Sequence, residues 1–365
     1  MLAGLGMANR FRIQMSQQIF ARLIAHASDS GVPIPGADQA RWIRRLSDAD
    51  ASLMAEADVL GYQQITRQIR AIHFEHDAVR YFAVLGIGEA ESLPDGLTPT
   101  ELTPGTLAVA LIQSDIHPSA GGLEILEAIG DLHGGVEGFD GYELSAITNL
   151  FPSIEIFEAD QNYEYTANVV RVLGALTARS YADGPIAPSG TTLNKVADIF
   201  QSGSEHVPFE NVLQGMLSIS WGGFFLELYR AIEQLYAVPR LAALVEAWPT
   251  SLPYRSLADL LESHLAWRPK EDDALAKIIA ECDDTIVAPL RESFSDHRDG
   301  DQEITTEKVA ADIYKVRNSL VHFRAALGTV QRTNEEWDDM ISAMLDLVKD
   351  VYQRHGARFN VEPKA

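Results

Sequence analysis

Arg317, Asn318 and His322 are the side chains of this 365-residue chain whose types and spacing best suit chemistry on a phosphate. A histidine titrates near neutrality, so it can take up and release a proton within one reaction cycle. An arginine fork can grip a phosphate and stabilise negative charge as it builds. An asparagine beside it can position the phosphate or orient the histidine on the next turn. All three lie in the segment TTEKVAADIYKVRNSLVHFRAAL, where Val309, Ile313, Val316, Leu320, Phe323 and Leu327 recur at intervals of four and three. That is the apolar stripe of an amphipathic helix. Lys315, Asn318 and His322 line one flank of the stripe; Tyr314, Arg317, Val321 and Arg324 line the other. At ~100° per residue, Arg317 and His322 stand about 140° apart around the axis. One helix alone does not close them into a pocket, whereas two copies packed across a dimer axis can.

The pattern Arg317-Asn318-x-x-x-His322 on such a helix resembles the ribonuclease members of the HEPN superfamily. Upstream, FFLELYRAIEQLYAVP is similar to the first helix of a HEPN bundle, with Tyr229, Arg230 and Glu233 as polar residues facing the same cleft. The likeness spans residues 205–357. It implies a mainly α fold, an antiparallel helical bundle that forms a homodimer, with both motifs meeting in a groove at the interface. It also implies an endoribonuclease that needs no metal and no other cofactor, acting as a toxin or in antiphage defence. Arg317, Asn318 and His322 would be catalytic. Lys315, Tyr314, Arg324, Tyr229, Arg230 and Glu233 would bind the RNA substrate. His322 would abstract the ribose 2′-hydroxyl proton or protonate the leaving 5′-oxygen, giving a 2′,3′-cyclic phosphate. The residues also allow a plainer reading, in which Arg317 pairs with Asp312 or an acid of the following helix and His322 is a hydrogen-bonded interface residue. Domains of this kind that have lost catalysis serve in dimerisation, nucleotide binding or protein interaction, and that alternative stays open.

Other chemistry-bearing residues point less clearly to a site. His73-Phe-Glu75-His76-Asp77 has a metal-binding flavour but no third placed ligand, so it reads as a polar helix face. GLGMANR, GVPIPG and GIGEAE lack the strand–loop–helix setting and lysine of a phosphate loop. Asp272-Asp273 and Asp283-Asp284 read as solvated helix positions, Cys282 as inert, and Trp221, Phe224 and Phe225 as core or dimer contacts.

Composition sets the outer limits. A hydrophobic content of 46% can build real cores, and a single cysteine excludes an internal disulfide framework and points to a reducing, cytoplasmic setting. The sequence shows neither a leader pattern nor an apolar run of the ~20 residues that a membrane helix needs. A net charge of −23 argues against a protein that coats nucleic acid through a broad basic face. The acidity is local: residues 81–170 hold fifteen Asp and Glu and no Lys or Arg. Such a region is a well-solvated surface, a docking face for a basic or phage-derived protein partner, or a mimic of a nucleic-acid backbone.

The elements that must position the motif follow from periodicity and breaks. Residues 1–183 read as an acidic sensor or regulatory module, mostly helical and of uncertain fold. In it a helix runs through Phe11–Leu23, a second from Asp38 through Trp42 and Leu46, and a third through Leu53 and Leu60. Another helix covers 61–85, a strand 106–113, and a longer helix 163–178. Residues 184–204 read as a linker with a short helix, and 358–365 as a tail. Within 205–357 four helices are expected, over 210–237, 257–294 with a break at Pro269, 306–327 and 333–355. The last opens with the capping box Thr333-Asn-Glu-Glu336.

Overall fold

A computed structural model of the chain describes residues 12–44, 47–90, 92–131, 139–181, 184–248, 250, 252–265, 267, 269–294, 305–321 and 332–360. It is mainly helical with one small antiparallel sheet, and it divides into two compact units, Met1–Ser180 and Tyr181–Ala365. Among the described residues no helix is long and apolar enough to cross a membrane.

The first unit runs α1 (Arg12–Asp29), α2 (Asp48–Glu56), β1 (Asp58–Gln64), β2 (Arg70–His76), β3 (Val79–Leu85), β4 (Leu97–Thr100), α3 (Pro104–Ser114), α4 (Gly122–Ile129), α5 (Leu144–Thr148), β5 (Ile154–Ala159), a 3-10 turn (Glu164–Ala167) and α6 (Val169–Arg179). The sheet order is β1-β2-β3-β5-β4, every neighbour antiparallel. Alternation along the strands sends Ile72, Phe74, Ala83, Leu85 and Ile156 into one core with Ile19 and Leu23 of α1 and Leu107 and Leu111 of α3. His73 and Phe82 lie on the opposite face, towards Val169 of α6.

Several expectations for this unit are corrected. It is not mostly helical: residues 61–85, expected as helix, form a three-stranded meander with β1. The segment 106–113, expected as a strand, is α3. There Thr103 caps the helix by accepting from Thr106 N at 3.2 Å, and Pro104 opens it. No helix starts at Asp38. Instead buried Arg41 gathers the loop, donating to the carbonyls of Pro35 (2.7 Å), Gly36 (2.8 Å) and Ile129 (3.3 Å).

The second unit contains α7 (Gly190–Ser202), α8 (Phe209–Met216), α9 (Trp221–Glu233), α10 (Val238–Ala247), α11 (Tyr254–Leu265), α12 (Glu271–Ala280), α13 (Asp284–Phe294), α14 (Thr306–Val321) and α15 (Asn334–Asn360). α15 is the hub, packing against α7, α9, α11 and α13. Met340, Met344, Leu345, Leu347, Val348, Val351 and Tyr352 along it are fully buried. Its cap is the expected one: Thr333 N donates to Glu336 Oε2 at 2.8 Å, and Glu336 N to Thr333 Oγ1 at 3.2 Å.

The expected helix over 210–237 is broken into α8 and α9. Ser220 caps the second piece from Gly223 N at 3.2 Å. The two pieces pack so closely that a Cβ on Gly215 would stand 2.6 Å from the Phe224 ring. The expected stretch 272–294 is likewise two helices. α7, expected within a connecting segment, is part of the unit's core. Lys195 reaches Asp346 at 2.7 Å, Ser189 N donates to Asp338 at 2.9 Å, and Lys349 pairs with Asp198.

Candidate functional site

The stripe Val309, Ile313 and Val316 buries α14 against the core, which leaves Arg317 on its margin. Leu320, expected in that stripe, is 37% exposed, as is Val321 beyond it at 48%. His322 and Arg324, together with Phe323 and Leu327, lie outside the described residues.

Three helices converge on Arg317. Its guanidinium carbon sits 5.8 Å from the centre of the Tyr229 ring on α9, within cation–π range. Its Nη2 is 3.9 Å from Oε2 of Glu271, the first residue of α12. Its Nη1 donates to Asn318 Oδ1 at 3.0 Å. Glu233, the last residue of α9, completes the acidic side. Burial and the nearby Glu271 push its carboxyl above the ordinary range, and Arg317 and Arg230 oppose that shift. The arginine is thus shared between two carboxylates and a ring face.

Behind it lie two phenols. Tyr229 and Tyr236 meet edge-on, with ring centres 6.1 Å apart. Burial pushes both hydroxyls well above the usual tyrosine range. The two hydroxyls hydrogen-bond only weakly with each other, and among the described residues buried Glu271 Oε2 has no hydrogen-bond donor. A buried polar atom left unmatched costs ~1–3 kcal/mol. The cluster therefore holds a weakly paired couple of hydroxyls and a carboxylate oxygen that faces the Arg317 guanidinium at 3.9 Å.

The structure brings Tyr229, Glu233, Arg317 and Asn318 together. Arg230 is 59% exposed and ion-pairs with Glu227, whose other oxygen accepts from Asn211 at 2.8 Å. Lys315 is exposed and Tyr314 half-buried on α14. Asp312 pairs with Lys308 at 3.4 Å, so the acid that reaches Arg317 is Glu271, not Asp312. Glu271 and Tyr236 are cluster members the sequence reading passed over. A signal existed for Tyr236, since Tyr229, Glu233 and Tyr236 follow one another at steps of four and three. Glu271 carries no such mark, because its place depends on how α12 packs.

The remaining sequence candidates separate cleanly. His73 and His76 are on a strand, not a helix, and alternation sends them to opposite faces. His73 stacks on Phe82 with ring centres 4.4 Å apart, and burial, helped by Arg80, lowers its pKa to about 4. Cys282 donates to Ile278 O at 3.4 Å, and burial with Asp350 pushes its thiol up to about 12. Phe224 and Phe225 are fully buried, and Trp221 is fixed by Nε1 donating to Asn334 Oδ1 at 3.0 Å, so these rings are core. No protein-family model, curated protein or solved structure matches the chain.

Proposed function

We propose that the second unit is a HEPN-type bundle acting as a metal-independent endoribonuclease, a toxin or antiphage effector that cleaves RNA where two copies meet. The observation that carries this reading is Arg317. Its side chain is four-fifths buried (20% exposed) beside two weakly paired hydroxyls, five residues before His322 in the sequence. A guanidinium held against an aromatic face loses little entropy on meeting a phosphate and keeps further N–H groups for it. The phenols of Tyr229 and Tyr236 suit ribose or phosphate oxygens. Asn318 steadies the guanidinium through its Oδ1, which leaves its amide NH2 for the phosphate or the histidine. His322 supplies the proton transfer. The acidic first unit would then act as the sensor that admits a basic partner.

The test is purified protein incubated with total RNA in EDTA, beside His322→Ala. Cleavage by the wild type alone, leaving 2′,3′-cyclic phosphate ends, is the expected result. RNA that remains intact under every triggering condition, with no RNA bound, would overturn it. One observation favours a second, non-catalytic reading: Glu233 and Glu271 compete with any phosphate for Arg317. RNA or nucleotide binding that needs Arg317 but is indifferent to His322, without cleavage, would select it.

A further inference from the structure

The end of α2 and the β2–β3 turn bring Glu56 to the neighbouring pair His76 and Asp77, twenty residues further along the sequence. One ligand atom each from Glu56, His76 and Asp77 lies within 4.8 Å of the other two. The turn is built for this. His76 and Val79 close the hairpin, so Asp77-Ala78 is a two-residue loop, and both residues take positive φ, 51° and 61°. Such loops need that conformation to match the twist of the strands. Here it is supplied without glycine, and it stands the Asp77 carboxylate beside the imidazole.

The imidazole itself is fixed. His76 is nine-tenths buried, with Nε2 3.2 Å from Ser52 Oγ and Nδ1 3.7 Å from Asp77 Oδ2. Ser52, one turn before Glu56 on α2, donates to Glu56 Oε2 at 3.3 Å. A hydroxyl has one proton. With that proton given to Glu56, Ser52 offers its lone pair to Nε2 of His76, and Nδ1 is the ring nitrogen left facing Asp77. Nδ1 and Asp77 Oδ2, 3.7 Å apart, are too far for a hydrogen bond, and a cation between them would meet both. Two metal–ligand bonds of ~2.1 Å span roughly 3–3.7 Å at ordinary coordination angles. Glu56 is exposed at the end of its helix and can close by rotamer change. That end of a helix carries negative potential from unpaired carbonyls, which favours a cation. The arginine on the next strand, Arg80, is occupied by Glu75 at 3.3 Å.

We propose that Glu56, His76 and Asp77 form a divalent metal site, taking a first-row transition ion such as Zn2+ or Mn2+ with water completing its shell. One imidazole nitrogen with two carboxylates suits these ions better than Ca2+ or Mg2+, which prefer all-oxygen sites. The ion fastens α2 to the hairpin and belongs to the first unit alone, so it is independent of the ribonuclease reading.

The experiment uses the full chain stripped with EDTA and dialysed, titrated calorimetrically with ZnCl2 and separately with MnCl2, with thermal melts in parallel. Expected are one saturable ion per chain and a Tm that rises with metal. Affinity should fall roughly tenfold or more in Glu56→Gln and Asp77→Asn, since losing even an outer partner of a ligand costs that much. Both positions are exposed, and asparagine tolerates the positive φ of Asp77. The control Glu75→Gln, next in sequence but on the other face of β2, should bind as the wild type does. Absence of saturable uptake, or uptake that Glu56→Gln and Asp77→Asn leave unchanged, overturns the site.

Discussion

Truncating Arg317 to alanine is expected to cost the second unit about 1–2 kcal/mol of stability, whether or not RNA is ever cleaved there. The contact with Glu271 is 3.9 Å long and its partners are 20% and 34% exposed, so water screens it. An ion pair in that setting contributes ~0.5–1 kcal/mol. The ring of Tyr229 under the guanidinium adds ~0.5–1 kcal/mol. Removing the cation also leaves Glu233 and Glu271 facing each other, which raises the Glu233 carboxyl further. The assay is a double-mutant cycle of Arg317→Ala with Glu271→Gln, read by urea unfolding at low and high salt. The expected coupling is ~0.5–1 kcal/mol and shrinks as salt rises. A coupling within the ~0.3 kcal/mol that separates independent sites would refute the shared-arginine geometry. Loss of cleavage in Arg317→Ala should therefore be compared with Arg317→Lys, which keeps the charge and gives up the fork.

Three further outcomes follow from buried groups. His73 has its pKa lowered to about 4, so the unfolded chain takes the proton first. Its contribution is present above the unfolded value of ~6.5 and is lost as pH falls towards 4, up to about 3 kcal/mol. His73→Phe should flatten the Tm–pH curve across that window; parallel curves for the two proteins would contradict the buried, unmatched imidazole. Tyr229→Phe removes a buried hydroxyl that bonds only weakly to the Tyr236 phenol, so it should change stability by under ~1 kcal/mol. RNA affinity or cleavage should fall in the same protein, and a large loss of stability would show that the hydroxyl is strongly bonded. Cys282, with its thiol pushed up to about 12, should react with iodoacetamide at pH 8 far more slowly in the native protein than in urea. Equal rates would place the thiol in solvent.

The legible parts of the sequence were those where pattern and cap agree. The periodicity of α1, the buried face Val309–Ile313–Val316 of α14 and the Thr333–Glu336 box of α15 each need only local information. The misread segments are apolar runs that either structure can bury. TLAVALIQ satisfies a buried strand or a buried helix equally well, and the deciding signal was Thr103-Pro104 outside the run. Residues 61–85 were hidden for a related reason: the hairpin turn is Asp77-Ala78, without the Asn-Gly or Asp-Gly that marks such loops. Of the cluster, Tyr229, Glu233, Arg317 and Asn318 could be picked out by residue type. Glu271 could not, since nothing in a first-turn acid says which helix it will face. Glu56 and His76 meet only because α2 packs across the end of a hairpin.

The position of α15 has a bearing on how the protein is made. Its partner α7 is bonded to it across about 150 residues, as between Lys195 and Asp346. α7, α9, α11 and α13 all leave the ribosome before the helix that buries them. Loop closure over such distances comes late and waits for the distal partner. Through most of its synthesis the second unit is a set of amphipathic helices without their common core, exposed to chaperones and proteases. The Arg317 cluster draws on α9, α12 and α14, and of these α9 packs on α15, so that support for Tyr229 and Glu233 arrives last, a delay written into the order of the helices.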